Sequence, residues 1–296
     1  MAVITRPARA HALPWWRSKS GQRRLQRVIA TALIWILLAA VMTPFFWMLS
    51  TALKEEGDVW LQPPQWIPQP LRWDNFYQAV TQIPFLTFFT NSVIVTGLSV
   101  VGILLSCSMA AYAFARLRAP DRTILFIILL ATIMLPMEVT LVSTYLLFKG
   151  LGWLGTFKPL VVPAWFGAPF YIFLLRQFFM TIPLELDEAA RIDGAGYVRI
   201  YWRIVLPLAK PGLVTVAVFT FFDSWSDFLR PLIYLNSMDK YTLAVGLNYF
   251  IGQFPGETPW NWFMAASLLA MAPCLIVFLA AQRWFIQGAV LTGIKG

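Results

Sequence analysis

Three carboxylates interrupt stretches otherwise suited to hydrocarbon: Glu138 in MLPMEVTLVSTYLL (134–147), and Asp223 and Asp227 in FFDSWSDFLR (221–230). An ionised group among apolar neighbours is costly, so such residues face a cavity or a charged partner. On a helix, Asp223 and Asp227 share a face, and Arg230 follows Asp227 by three positions. These groups can accept hydroxyl protons from a polar solute moving along a path. Three negative charges would repel a phosphate dianion, which favours a neutral sugar. The same carboxylates could serve as a proton relay, and the plainest reading of Asp227 and Arg230 is a structural ion pair.

Other chemistries find little support. GLGWLG (150–155) matches G-x-G-x-x-G but follows an apolar span and has no acidic residue about 20 positions on, so it reads as a turn. No G-x-x-x-x-G-K-[ST] and no G-x-S-x-G occurs. The one histidine, His11, stands in a basic N-terminal run, so neither a metal site nor a cofactor site is expected. Cys107 and Cys274 fall within apolar spans and read as small buried side chains rather than a disulfide.

The elements that must hold these residues are membrane helices. The chain is 59% apolar and 12% charged, with mean hydropathy +0.66, far below the roughly 25% charged residues of soluble domains. A helix needs about 20 apolar residues to span the hydrocarbon. Six stretches qualify: 28–50, 87–115, 123–148, 158–180, 212–235 and 262–286. None alternates like a barrel strand, and in lipid a helix satisfies its own backbone. The expected organisation is a basic arm (1–27), a six-helix domain (28–286) and a tail (287–296). Its long connections are 51–86, 181–211 and 236–262. Of the 23 Lys and Arg residues, 17 fall on the side that holds both termini, which places that side in the cytoplasm. The net charge of +9 then needs no nucleic acid and suits contact with the lipid bilayer.

One polar island remains, EAARIDGAGYVRIYWRIVLPLAKP (188–211). Helical propensity after Pro183 and a left-handed end at Gly194 predict a short crosswise helix. Asp187 and Glu188 are spaced to pair with Arg191. Ala189 and Ala190 leave a low patch for another surface. Pro207 and Pro211 mark a break before the fifth span.

The spacing Glu188-Ala189-Ala190, Gly194, then Ile204-x-Leu206-Pro207 resembles the EAA motif of permease subunits in bacterial ABC importers. LRQFFMTIP (175–183), MLPMEVTLVSTYLL and GAVLTGIKG (288–296) resemble the carbohydrate branch, which includes maltose-type and glycerol-3-phosphate-type importers. The resemblance implies an all-α membrane protein, a six-transmembrane-helix bundle of the type I ABC importer permease kind. Its cytoplasmic coupling helix would lie between helices 4 and 5. It further implies a bacterial inner-membrane subunit that is not itself an enzyme. Its partners would be a second homologous permease in a heterodimer, a cytoplasmic ATPase dimer and an extracytoplasmic solute-binding protein. ATP and magnesium would belong to the ATPase. Glu188, Ala189, Ala190, Arg191, Asp193, Gly194, Ile204, Leu206 and Pro207 are the expected coupling residues, with Gly293–Gly296 reaching toward the ATPase. The expected path residues are Glu138, Asp223, Asp227 and Arg230. Loop 236–262 would enter the binding protein.

Overall fold

The computed structural model describes residues 19–253 and 258–293. Helix α1 (Lys19–Ala52) leads through a loop to α2 (Asp74–Thr81) and α3 (Phe85–Arg116). Next come α4 (Arg122–Thr132), α5 (Met137–Gly150), the one-turn α6 (Lys158–Val161), a 3-10 segment (Val162–Phe166) and α7 (Pro169–Thr181). A second run holds α8 (Glu185–Ile192), α9 (Tyr197–Ile200), a π turn (Tyr201–Val205), α10 (Leu206–Leu208) and α11 (Lys210–Trp225). The chain closes with α12 (Leu229–Tyr234), α13 (Leu243–Gln253) and α14 (Trp260–Gly293).

Four helical stretches are long and apolar enough to cross a bilayer, and two bent pairs bring the number to six. The expected third span is not one helix: α4 and α5 meet at 95°. Pro136 cannot continue a helix and sits in extended backbone (ψ 140°), which also biases Leu135 away from it. The fifth span likewise turns, by 78°, between the α9–α10 stretch and α11, at the expected break. It ends at Trp225, so Asp223 and Asp227 do not share a helical face. Residues 19–27 of the expected arm continue α1, and the expected tail continues α14 as far as Gly293.

Helix α3 is the hub. One core gathers its Ile103, Cys107 and Ala111 with Leu175 and Phe179 of α7, Ile200, Val205 and Val216. A second core, toward the other end, joins Phe85 and Phe88 to Trp225, Leu243, Phe250, Ala265 and Ala266. Lipid tails are as apolar as leucine, so tight packing and polar bonds between helices hold such a bundle. Several are visible. Asn91 Nδ2 donates to the Asp239 and Tyr241 carbonyls (2.9 and 3.0 Å), and Ser92 Oγ accepts the Leu243 N–H (2.7 Å). The connection 236–262 is therefore no free loop, since its helix α13 is seated on α3 and α14. At the same end Asn75 Nδ2 donates to the Ala52 and Lys54 carbonyls, closing the C-terminus of α1. The apolar face of α1 around Trp35, Ile36 and Leu37 is open to the surroundings.

Candidate functional site

The polar island folds into α8, which is capped where Gly194 takes φ +78° and the Ala195 N–H reaches the Ala190 carbonyl at 2.8 Å. Two faces result. Glu188, Ala189, Arg191, Asp193 and Gly194 are exposed, as is Pro207. Ala190, Ile204 and Leu206 instead pack against the α3–α7 core, so these three support the segment from beneath. The open face also carries apolar groups that the sequence reading did not single out: Ile192 (88% exposed) and Val198 (72%).

The expected pairing of Asp187 with Arg191 is not formed. Asp187 turns inward and its Oδ2 lies 3.7 Å from Nε of Arg116, the last residue of α3. Arg116 also donates through Nη2 to the Phe179 and Ile182 carbonyls (2.8 and 2.7 Å), at the C-terminal end of α7. Arg191 instead lies over the Tyr197 ring, 4.7 Å from its centroid. Tyr112 donates to the Tyr197 carbonyl (3.2 Å), and the Ser108 and Tyr201 hydroxyls are 2.7 Å apart. Helix α3 thus grips both α8 and the stretch that follows it. Arg116 falls one residue beyond the expected second span (87–115), where it reads as a loop charge. The signal was that AYAFAR continues the helix through it.

The carboxylates separate. Glu138 sits exposed in the first turn of α5 and makes no hydrogen bond or ion pair among the described residues. Asp227 occupies the break before α12. Its Oδ1 accepts the Arg230 N–H (3.3 Å) and its Oδ2 meets Arg230 Nε at 2.6 Å, so it both caps the short helix and pairs the charge. Asp223 accepts a hydrogen bond from the buried Tyr171 of α7. Asp223, Tyr171 and Arg230 line a cavity of about 230 Å³ with Ser99, Thr220 and Ser224. At 1.5 Å rise per residue, Thr220 and Asp223 stand roughly 15 and 20 Å above Lys210.

Fold and site together define a multi-pass membrane transport component, with an exposed helical ledge anchored to the central helix of its bundle. Comparison with known proteins makes the class specific. Residues 100–290 match the family described as binding-protein-dependent transport system inner membrane component, and the chain belongs to that family. It is a permease subunit of an ABC importer, and not a catalyst in itself. The sn-glycerol-3-phosphate transport system permease protein of Yersinia pestis biovar Antiqua (strain Antiqua) is 35% identical over 256 residues, covering 84% of this chain and 91% of that one. The diacetylchitobiose uptake system permease protein of Streptomyces coelicolor is 31% identical over 278 residues, covering 94% and 91%. A solved chain of a bacterial ABC transporter that imports the acidic polysaccharide alginate shares the fold, with a TM-score of 0.80 at 22% identity, covering 90% of this chain and 98% of that one.

Proposed function

We propose that the chain forms half of the translocation pathway of an ATP-driven importer for a sugar or oligosaccharide. It pairs with a second, homologous permease. Both termini and α8 face the cytoplasm, where α8 docks on a separate ATPase dimer that holds ATP and magnesium. A soluble binding protein delivers solute at the opposite face, where α13 sits.

The observation that carries this reading is the two-sided build of α8. Its outer face offers Glu188, Ala189, Ile192 and Gly194 to a partner, while Asp187 on its inner face is tied to α3. A push on the ledge is then transmitted to the hub of the bundle rather than absorbed in a loop. Charge favours a neutral solute, because two carboxylates and one guanidinium stand near the cavity. Relatives of this chain carry names for both a phosphorylated polyol and a chitin disaccharide, so glycerol-3-phosphate is the second reading.

The test is uptake by proteoliposomes of the purified complex. Accumulation that requires both enclosed ATP and the binding protein supports the reading. Accumulation driven by a proton gradient without ATP would assign Glu138, Asp223 and Asp227 to a proton relay and overturn it.

A further inference from the structure

The turn between α3 and α4, at the α8 end of the bundle, carries charge that no acid in the fold answers. Arg116 is met by Asp187, but Arg118, two residues on, is exposed and makes no hydrogen bond or ion pair among the described residues. Arg122 donates through Nη1 to the Leu117 carbonyl at 3.0 Å, and Arg176 of α7 donates through Nε to the Phe114 carbonyl at 3.2 Å. The Arg176 guanidinium also lies over the Phe126 ring, 4.2 Å from its centroid. Arg122 and Arg176 stand close enough for their like charges to act on each other. Asp121 lies nearby in the sequence, yet none of these three arginines has a carboxylate partner among the described residues. Carbonyls and a ring thus hold cations together instead of letting them swing apart. That arrangement is repulsive unless an anion joins it.

The nature of the anion follows from where the charges stand. Helix α3 is long and apolar enough to span the bilayer, and α4 opens the bent third span, so the turn 117–121 lies at the membrane's polar edge. An open cavity of about 340 Å³ is found there, lined by Arg118, Ala119, Pro120, Arg122 and Thr123. Just inside the membrane from it, one face of α4 is committed. Phe126 stands between Phe114 of α3 and Phe173 of α7, at 5.3 and 6.4 Å. The other face is bare, with Ile124, Leu125, Ile127 and Ile128 exposed by 60, 54, 60 and 56%. A cationic crown on an apolar wall suits a molecule with a negative head and hydrocarbon tails. A free phosphate would answer the arginines and make no use of the wall. An anionic lipid answers both, and basic pockets between membrane helices bind such headgroups. The guanidinium fork matches the phosphate oxygens it would meet.

We propose that the α3–α4 turn, with Arg176 of α7 beside it, binds the headgroup of an anionic phospholipid. Arg118 and Arg122 hold the phosphodiester, Arg176 adds its charge, and the acyl chains lie along the bare face of α4. The site faces the surrounding membrane and is independent of the solute the importer carries.

The experiment is native mass spectrometry of the complete complex, titrated with dioleoyl phosphatidylglycerol, dioleoyl phosphatidylcholine or inorganic phosphate. Each basic side chain at such a site is worth about fivefold in affinity. Phosphatidylglycerol binding should therefore weaken at least tenfold in the double variant Arg118→Gln/Arg122→Gln. The double variant Arg118→Lys/Arg122→Lys keeps both charges and should retain most of the affinity. Arg118→Gln alone removes an exposed side chain that holds nothing else, so the complex stays assembled and should still lose about fivefold. Phosphatidylcholine should bind the parent and all variants alike, and excess inorganic phosphate should not displace phosphatidylglycerol. Phosphatidylglycerol binding unchanged in the glutamine variants, or matched by phosphatidylcholine, overturns the site. Displacement by inorganic phosphate overturns the lipid and gives the arginines to a soluble anion. Dissociation of the second permease from the glutamine double variant overturns it as well, and gives this face to that partner.

Discussion

Arg116 and Asp187 form a buried ion pair at 3.7 Å, with side chains 2% and 4% exposed, and the Asp187 carboxylate has no hydrogen bond among the described residues. Such a pair adds little stability by itself, but losing one member strands the other, at about 3–5 kcal/mol. Asp187→Leu should thus lower the melting temperature of the complex and its uptake together. Arg116→Met should be worse, because the Phe179 and Ile182 carbonyls also lose their donor. The double variant should recover the stability lost by Asp187→Leu but not the cost of the bare carbonyls. Thermal unfolding of the purified complexes checks the order. Equal loss in both single variants would contradict the double duty given to Arg116.

The outer face of α8 predicts a different phenotype. Ile192 is almost fully exposed, so Ile192→Ser should change stability by no more than about 0.5 kcal/mol. Gly194→Asp meets open space, since nothing lies within 4 Å of an added Cβ, and faces only the left-handed backbone cost of about 1–2 kcal/mol. Both variants should insert and assemble, yet lose ATP-driven uptake by tenfold or more. Expression measured beside uptake decides the matter. Normal uptake in both would remove α8 from the coupling role.

Much of this was legible in the sequence, and the part that was not has a physical reason. Hydropathy locates spans because every buried backbone group must be satisfied locally, and Gly194 announces a helix end because its conformation is scarce for other residues. Long-range pairing carries no such mark. Asp187 has Arg191 one turn away, yet burial of its face brings it to Arg116, 71 positions earlier. The same limit hid Tyr171, which reads as one more ring in an apolar span until α7 places it beside Asp223. The expected unbroken third span (123–148) likewise gives way at Pro136, where α4 and α5 meet at 95°.

The seat of α13 on α3 gives a third prediction. A Cβ at Gly246 would come 2.1 Å from the Phe88 ring, and Phe88 is fully buried. Gly246→Ala should therefore force a shift costing about 1–3 kcal/mol. Phe88→Leu in the same chain should restore part of it by vacating the space. If α13 also serves the binding protein, Gly246→Ala should weaken stimulation of ATP hydrolysis by the binding protein more than basal hydrolysis. Thermal unfolding and ATPase assays read the two effects separately. A stable Gly246→Ala variant would show that α13 is not seated on Phe88.

Lys54, just beyond α1, is fully buried, and its ammonium has no hydrogen-bond acceptor among the described residues. It stands 4.3 Å from the centroid of the Trp47 ring, which offsets part of the cost of burying the charge. Loss of water pushes its pKa below the ordinary 10.5, opposed by the Asp58 charge. The folded chain therefore releases this proton at lower pH than the unfolded chain does. Below the folded value both forms are charged and the burial penalty is present in full. Between that value and 10.5 the unfolded chain holds more protons, so stability rises with pH. Lys54→Met keeps the length of the side chain and removes the charge. It should melt higher than the parent at neutral pH, with the gap closing as pH approaches 10.5. Melting curves of both complexes across that range test this. A gap that stays constant with pH would mean that the Lys54 charge is already compensated in the folded chain.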